Sequence, residues 1–144
     1  GVNNSKVHQA IYDTNTEQRL RFLGFALSQR LKILKEYCTA YFLITTHDLE
    51  QFESQTGDTE GLVNYALSME NINFAALIVE RPDMVKMSFR SKGSFSVRDF
   101  ASNHFEGGGH KNASGGKSNL SLIKTEEKFL KVLELYKNAL NQKQ

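Results

Sequence analysis

Residues 107–116 read GGGHKNASGG, and this stretch holds five of the chain's ten glycines together with His110. Three successive residues without side chains let a backbone take φ > 0 and approach a ligand within van der Waals distance. A run of bare N–H groups can form a concave anion-binding nest. A histidine at its end adds a donor whose charge depends on pH. Gly107 follows a predicted helix, where an αL C-cap accounts for one glycine, and the others would otherwise make a flexible loop. A cap does not account for three glycines followed by histidine. The pattern points to a site that grips something anionic, with Asn112 and Ser114 adding donors or serving as local caps.

A length of 144 residues fits one domain with a proper core. Hydrophobic content of 40% with a single proline argues for a compact fold. Cys38 stands alone in the apolar run Tyr37 to Thr45 and reads as a buried core thiol rather than a nucleophile. The longest apolar runs, such as Phe74 to Val79, are too short to span a bilayer. No signal peptide is seen and the first residue is not methionine, so a cytoplasmic protein without membrane contact is expected.

The net charge of +2 conceals an asymmetry. Residues 1–80 carry six Lys/Arg against ten Asp/Glu, a net −4. Residues 81–117 carry seven against three, a net +4, and residues 118–144 five against three. The positive surplus falls on the segment that holds the glycines, where it attracts a phosphorylated ligand. It is too weak a field for long duplex nucleic acid, where many phosphate contacts are typical.

Periodicity predicts a helix over Glu17 to Lys35, with Leu20, Leu23, Leu27, Leu31 and Leu34 as its stripe and Thr14 with Glu17 as a capping box. Tyr37 to Thr45 reads as an interior strand, apolar on both faces. Thr46 to Gln55 reads as a short helix. Thr56-Gly57-Asp58 reads as a turn, with Asp58 capping a helix that carries Leu62, Tyr65, Ala66 and Met69. Phe74 to Glu80 and Met84 to Arg90 flank Arg81-Pro82-Asp83 and form an antiparallel hairpin. Ser96 and Asp99 cap a helix burying Val97, Phe100, Ala101 and His104, the last a satisfied core histidine. Thr125 caps a C-terminal helix with Phe129, Leu133, Tyr136 and Leu140. The expected class is α+β (α/β-like), a mixed β-sheet flanked by helices.

Within Met84 to Arg90, Val85, Met87 and Phe89 share one face and Lys86, Ser88 and Arg90 the other. That second row is either a solvated strand face or one wall of an anion site. Arg90 is its strongest candidate, because guanidinium offers a fixed fork for phosphate. Glu60, at a helix start, either favours the helix dipole or faces a substrate. His47-Asp48 invites comparison with HD-type metal phosphohydrolases, but the further ligands are not found, and a strand-to-helix junction is the ordinary explanation. His8 is uninformative.

GGGHKNASGG resembles the GGGH motif of the DHHA1 domain, the C-terminal half of DHH-family phosphoesterases. Asp58 to Asn64 (DTEGLVN), Ser88 to Gly93 (SFRSKG) and Ser96 to Phe105 (SVRDFASNHF) resemble the family's segments in the same order. The set is most similar to the oligoribonuclease (nano-RNase) and pAp phosphatase group; RecJ-type exonucleases, cyclic-dinucleotide phosphodiesterases and exopolyphosphatase-like proteins are more distant. The resemblance implies that residues 1–36 are the helical end of a catalytic domain and a linker, and that residues 37–144 are the substrate-binding domain. It implies substrate binding by Ser88, Arg90, Gly107, Gly108, Gly109, His110 and Asn112, with a nucleotide or short single-stranded RNA as partner. The family's D-x-D and D-H-H metal signatures are absent from the sequence, so catalysis and a divalent metal, manganese by resemblance, are expected in a missing N-terminal DHH domain. A non-catalytic module gripping RNA or nucleotide ends, as DHHA1-like appendages do in some tRNA synthetases, is the alternative. A third reading keeps the phosphoesterase but makes polyphosphate or a cyclic dinucleotide the substrate. The sequence gives no oligomeric state and leaves a homodimer open.

Overall fold

The computed structural model describes residues 15–55 and 57–142. Six strands form one mixed sheet: β1 (Leu31–Leu34), β2 (Thr39–Ile44), β3 (Phe74–Glu80), β4 (Val85–Ser91), β5 (Gly108–His110) and β6 (Ala113–Ser118), in the order β1-β2-β3-β4-β6-β5. Only β2 and β3 run parallel; every other pairing is antiparallel. Among the described residues six α-helices accompany it: α1 (Glu17–Phe25), α2 (Thr46–Gln51), α3 (Leu62–Leu67), α4 (Val97–His104), α5 (Leu122–Leu135) and α6 (Lys137–Leu140). The α+β expectation holds.

The sheet divides the core in two. On one face Tyr41, Phe74, Ala76, Ile78, Val85, Met87 and Phe89 pack under α4, α5 and α6. Phe100 lies at the centre of this half, with ring centroids 4.9 Å from Phe74, 5.2 Å from Phe89 and 5.5 Å from Tyr136. On the other face Ala40, Phe42, Ile44, Ala75, Leu77 and Val79 pack against Phe22 and Ala26 and against Leu62, Val63 and Ala66 of α3. This second helical layer covers β2 and β3, and α3 reaches the near side of β4. From β4 onward this face of the sheet carries no residue of either apolar core.

Several elements differ from expectation. The first helix ends at Phe25, passes through a wider π turn at Ala26–Arg30, and gives way to β1. Thr14 lies outside the described residues; Thr16 caps α1, its hydroxyl accepting from Arg19 N at 3.0 Å. Asp58 is not a cap: its Oδ2 accepts from Gln55 N at 2.7 Å, and Gly61 at φ 88° precedes α3. Tyr65 is exposed and Val63 takes its expected place in the core. Ser121 caps α5, while Thr125 lies one turn inside, fully buried and donating to Ser118 Oγ at 2.8 Å. Ser121, immediately before the helix, has the extended φ/ψ a cap needs. Cys38 sits in a left-handed turn before β2, only half-buried, its Sγ 3.4 Å from Asn141 Oδ1.

Asp48 explains the His47-Asp48 pair. It is the N3 residue of the α2 capping box, accepting from Thr45 N at 3.1 Å while Asp48 N donates to Thr45 Oγ1. Its two oxygens also take both arms of Arg30, at 2.8 and 3.0 Å. Burial pushes this carboxyl up, but the Arg30 guanidinium and the Thr45 donors outweigh it and hold it below the ordinary aspartate range. His104 bonds Tyr136 Oη at 2.8 Å, as a satisfied core histidine should, and burial followed by repulsion from Lys128 lowers its pKa. No helix among the described residues is long and apolar enough to cross a membrane.

Candidate functional site

The uncovered half of the sheet is built from register. Across it, Val79 stands opposite Lys86 and Lys86 opposite Lys117. The next row toward the hairpin tip runs Leu77, Ser88, Gly115 and Gly108, and the third Ala75, Arg90, Ala113 and His110. Partners directly across a ladder share a face, so Ser88, Arg90, Gly108 and His110 look out of one surface. His110 lies two strands from Arg90, about 10 Å between backbones. Ala113 is the sole side chain between them in that row.

Where this surface meets α3 there is a cavity of about 470 Å³, lined by Gly57, Thr59, Glu60, Gly61 and Asn64 on the helix side and by Arg81, Lys86, Ser88 and Arg90 on the sheet side. Its size suits a small ligand. Arg90 Nη1 donates to the Phe89 carbonyl at 2.9 Å and, at the limit of reach, to the Ser114 carbonyl at 3.5 Å. That fixes the guanidinium while leaving its other nitrogens without an acceptor among the described residues. Glu60 faces this cavity from the loop before α3. The cavity gathers Ser88 and Arg90; His110, Asn112 and the three glycines lie outside it, on the platform that continues across β6.

The glycine motif is not a loop or a nest. Gly108–His110 is an exposed edge strand, and only Gly109 of the three has positive φ, at 143°. The left-handed residue after α4 is Glu106, at φ 47°, rather than Gly107. Gly107 is glycine for want of room: a Cβ there would fall 2.0 Å from the Gly115 carbonyl oxygen. At Gly109 a Cβ would come 2.8 Å from both Ala113 O and Ser114 Cα, and at Gly116 2.8 Å from Phe105 O. Gly108 differs. A Cβ there would meet nothing within 4 Å, and its φ is ordinary. No contact within the domain requires a bare residue at 108.

The hairpin is held rigid. Val97 N donates to Lys111 O at 2.7 Å and Ser91 N to Asn112 O at 3.1 Å. Asn112 Nδ2 donates to Ser91 Oγ at 2.9 Å and to Gly93 O at 3.1 Å. Ser114 points into the core and donates to Val97 O at 2.8 Å. Lys92 Nζ is occupied by Met69 O at 2.8 Å. So Asn112 positions the tip, Ser114 and Lys92 hold the scaffold, and Ser88, Arg90, Gly108 and His110 are the groups left to meet a ligand. As an edge, β5 also offers outward backbone N–H and C=O groups. The sequence reading missed Arg81 and Lys117 and the glycine at 115; only the strand pairing reveals that they belong here.

Among the described residues no three His, Cys, Asp or Glu side chains come together to hold a metal ion. A two-metal hydrolytic centre needs several such ligands, and this chain's described residues do not fit one.

Comparison with known proteins agrees with the geometry. An exopolyphosphatase-related protein from Bacteroides fragilis superposes with a TM-score of 0.93 at 36% identity, over 99% of this chain and 42% of that one. A pGpG-specific phosphodiesterase from Vibrio cholerae shares the fold with a TM-score of 0.57 at 14% identity, over 85% of this chain and 40% of that one. The chain thus spans about two fifths of the length of these solved proteins. No curated protein matches its sequence. The DHHA1 domain model matches residues 35–142, and the chain belongs to that family.

Proposed function

We propose that this domain is the substrate-binding half of a metal-dependent DHH phosphoesterase acting on short oligoribonucleotides or 3′-phosphoadenosine 5′-phosphate. The catalytic ions, manganese by family resemblance, belong to a DHH domain outside this chain. Arg90 and Ser88 take a phosphate at the cavity, His110 contacts a second oxygen or a base edge, and the terminal nucleotide lies across the bare strand between them. The observation that carries this reading is Gly108, a glycine with open space where its side chain would be, on the face shared by Arg90 and His110. Positioning by such a surface matters because placement to within an ångström changes rates greatly. The fold's likeness to a pGpG-specific phosphodiesterase is in keeping with nucleotide handling.

Polyphosphate is the second reading. It is favoured by the exopolyphosphatase-related neighbour and by a cavity lining without an aromatic ring on which a base could stack. Binding measured by calorimetry with adenosine 3′,5′-bisphosphate, diribonucleotide and polyphosphate separates the two. The purified chain with manganese is expected to bind without hydrolysing; turnover would refute the division of labour. Arg90→Ala should weaken binding about 10- to 100-fold, the equivalent of a charged hydrogen bond. Unchanged affinity in both Arg90→Ala and His110→Ala would sink the assignment.

A further inference from the structure

Lys86 and Lys117 stand directly opposite each other on β4 and β6, on the uncovered face of the sheet, and both are exposed. Like charges across a ladder destabilise the pairing, and among the described residues no ion pair relieves them. The four ion pairs among the described residues involve Arg21, Arg30, Lys32 and Arg98, and neither of these lysines. Arg81 lines the same end of the cavity as Lys86 and is likewise without a carboxylate partner. Glu60 is the one carboxylate in that lining and forms an ion pair with none of the three, whereas an anion laid over the cations would neutralise them.

We infer that Lys86, Lys117 and Arg81 form a second phosphate station, so that the site takes a chain of phosphates running along β4 rather than a mononucleotide alone. This rests on the proposed function, since Arg90 and His110 are the first station. Lys86 and Arg90 are four residues apart on one strand, about 13 Å at the usual rise. A ligand with phosphates on a single nucleoside occupies the Arg90 end and leaves the lysine pair unused; a longer chain reaches both. Ser88 and the bare Gly115 lie midway, in a row that presents a hydroxyl and no bulk. The station therefore sets a preference for length. Two sources share this chemistry, an oligoribonucleotide backbone and inorganic polyphosphate.

The test compares wild type with the Lys86→Gln/Lys117→Gln double variant, by anisotropy of labelled penta-ribonucleotide and by competition with adenosine 3′,5′-bisphosphate and medium-chain polyphosphate. The double variant should bind pentamer at least tenfold more weakly. Its salt dependence should be shallower by about 1.4 in log–log slope, two phosphates at about 0.7 each. Bisphosphate affinity should fall by a smaller factor than pentamer affinity, since Lys86 also lines the cavity that takes the first phosphate. A loss shared by polyphosphate and RNA, or confined to one of them, supports the station and identifies its source. Unchanged pentamer affinity, a loss equal for pentamer and bisphosphate, or a wild-type chain that does not bind pentamer overturns it. Arg90→Ala, run alongside, tells the two proposals apart: unchanged bisphosphate affinity there removes the first station, while an insensitive double variant removes only the second.

Discussion

Replacing each glycine of the motif by alanine should divide two demands that the sequence merges. At Gly108 the added methyl meets nothing within 4 Å and the backbone is already compatible with an L-residue. Gly108→Ala should leave the fold intact or stabilise it by about 0.4–1 kcal/mol, through a less flexible unfolded chain. At Gly107 the methyl would fall 2.0 Å from a carbonyl oxygen of β6, so backbone must move; about 1–3 kcal/mol is the usual cost of such overpacking. At Gly109 a 2.8 Å approach to Ala113 O and Ser114 Cα is added to a φ of 143°, and a strained backbone costs about 1–3 kcal/mol on its own. Urea denaturation gives the stability of each variant, and calorimetry gives its affinity for diribonucleotide or bisphosphate. The expected pattern is crossed: Gly108→Ala stable and poor at binding, Gly107→Ala and Gly109→Ala less stable. A Gly108→Ala protein with wild-type affinity refutes close approach of ligand at that residue. A Gly107→Ala protein of wild-type stability refutes the packing of β5 against β6.

Phe100→Ala, which empties the centre of the aromatic half-core, should cost about 3–5 kcal/mol, read as a fall in urea midpoint; a loss below about 1 kcal/mol would contradict the ring packing described. Asp48→Ala removes both arms of the Arg30 pair and half of the α2 capping box, and should cost about 1–3 kcal/mol, held down because Arg30 remains a third exposed. Since the folded Asp48 carboxyl is held below its unfolded value, its contribution is present above the unfolded pKa and lost as pH falls through the folded one. Wild type and Asp48→Ala should therefore converge in stability under acid conditions, and a constant gap from neutral pH downward would argue against that pair as the source.

Local chemistry announced the elements whose partners are near in sequence. The β3–β4 hairpin is legible because Pro82 separates a continuous apolar run from an alternating one, and the alternation of Met84 to Arg90 assigns its faces correctly. The two-sided apolar pattern of Tyr37 to Thr45 announced an interior strand, which β1 and β3 confirm. The first helix was overextended because Leu31 and Leu34 continue its spacing with no glycine or proline to stop it. What ends it is distant: β1 pairs with β2, and Arg30 at the junction is claimed by Asp48, eighteen residues on. The glycine motif does not read as a strand, because glycine disfavours strands and only β6 beside it supplies the ladder.

The site's other half shows why periodicity alone could not complete it. Lys117, Gly115 and Ala113 alternate with Gly116 and Ser114, yet nothing in that hexapeptide says which partner strand it meets. Once β4 is placed beside it, Ser88 falls opposite Gly115 and Arg90 opposite Ala113. Ala113 is thus the only side chain between Arg90 and His110 in that row, which on the proposed function leaves room for the ligand. The apolar packing beneath the helical layer ends at β3 for a matching reason, since Lys86, Ser88 and Arg90 give an α-helix no apolar surface to cover. A sheet face that is apolar under α3 and polar immediately beyond it makes a step, and the cavity is that step. On the proposed function, the same residues that deny the sheet a complete second layer are those that hold the anion, and recognition would then occupy the part of the fold that packing does not use.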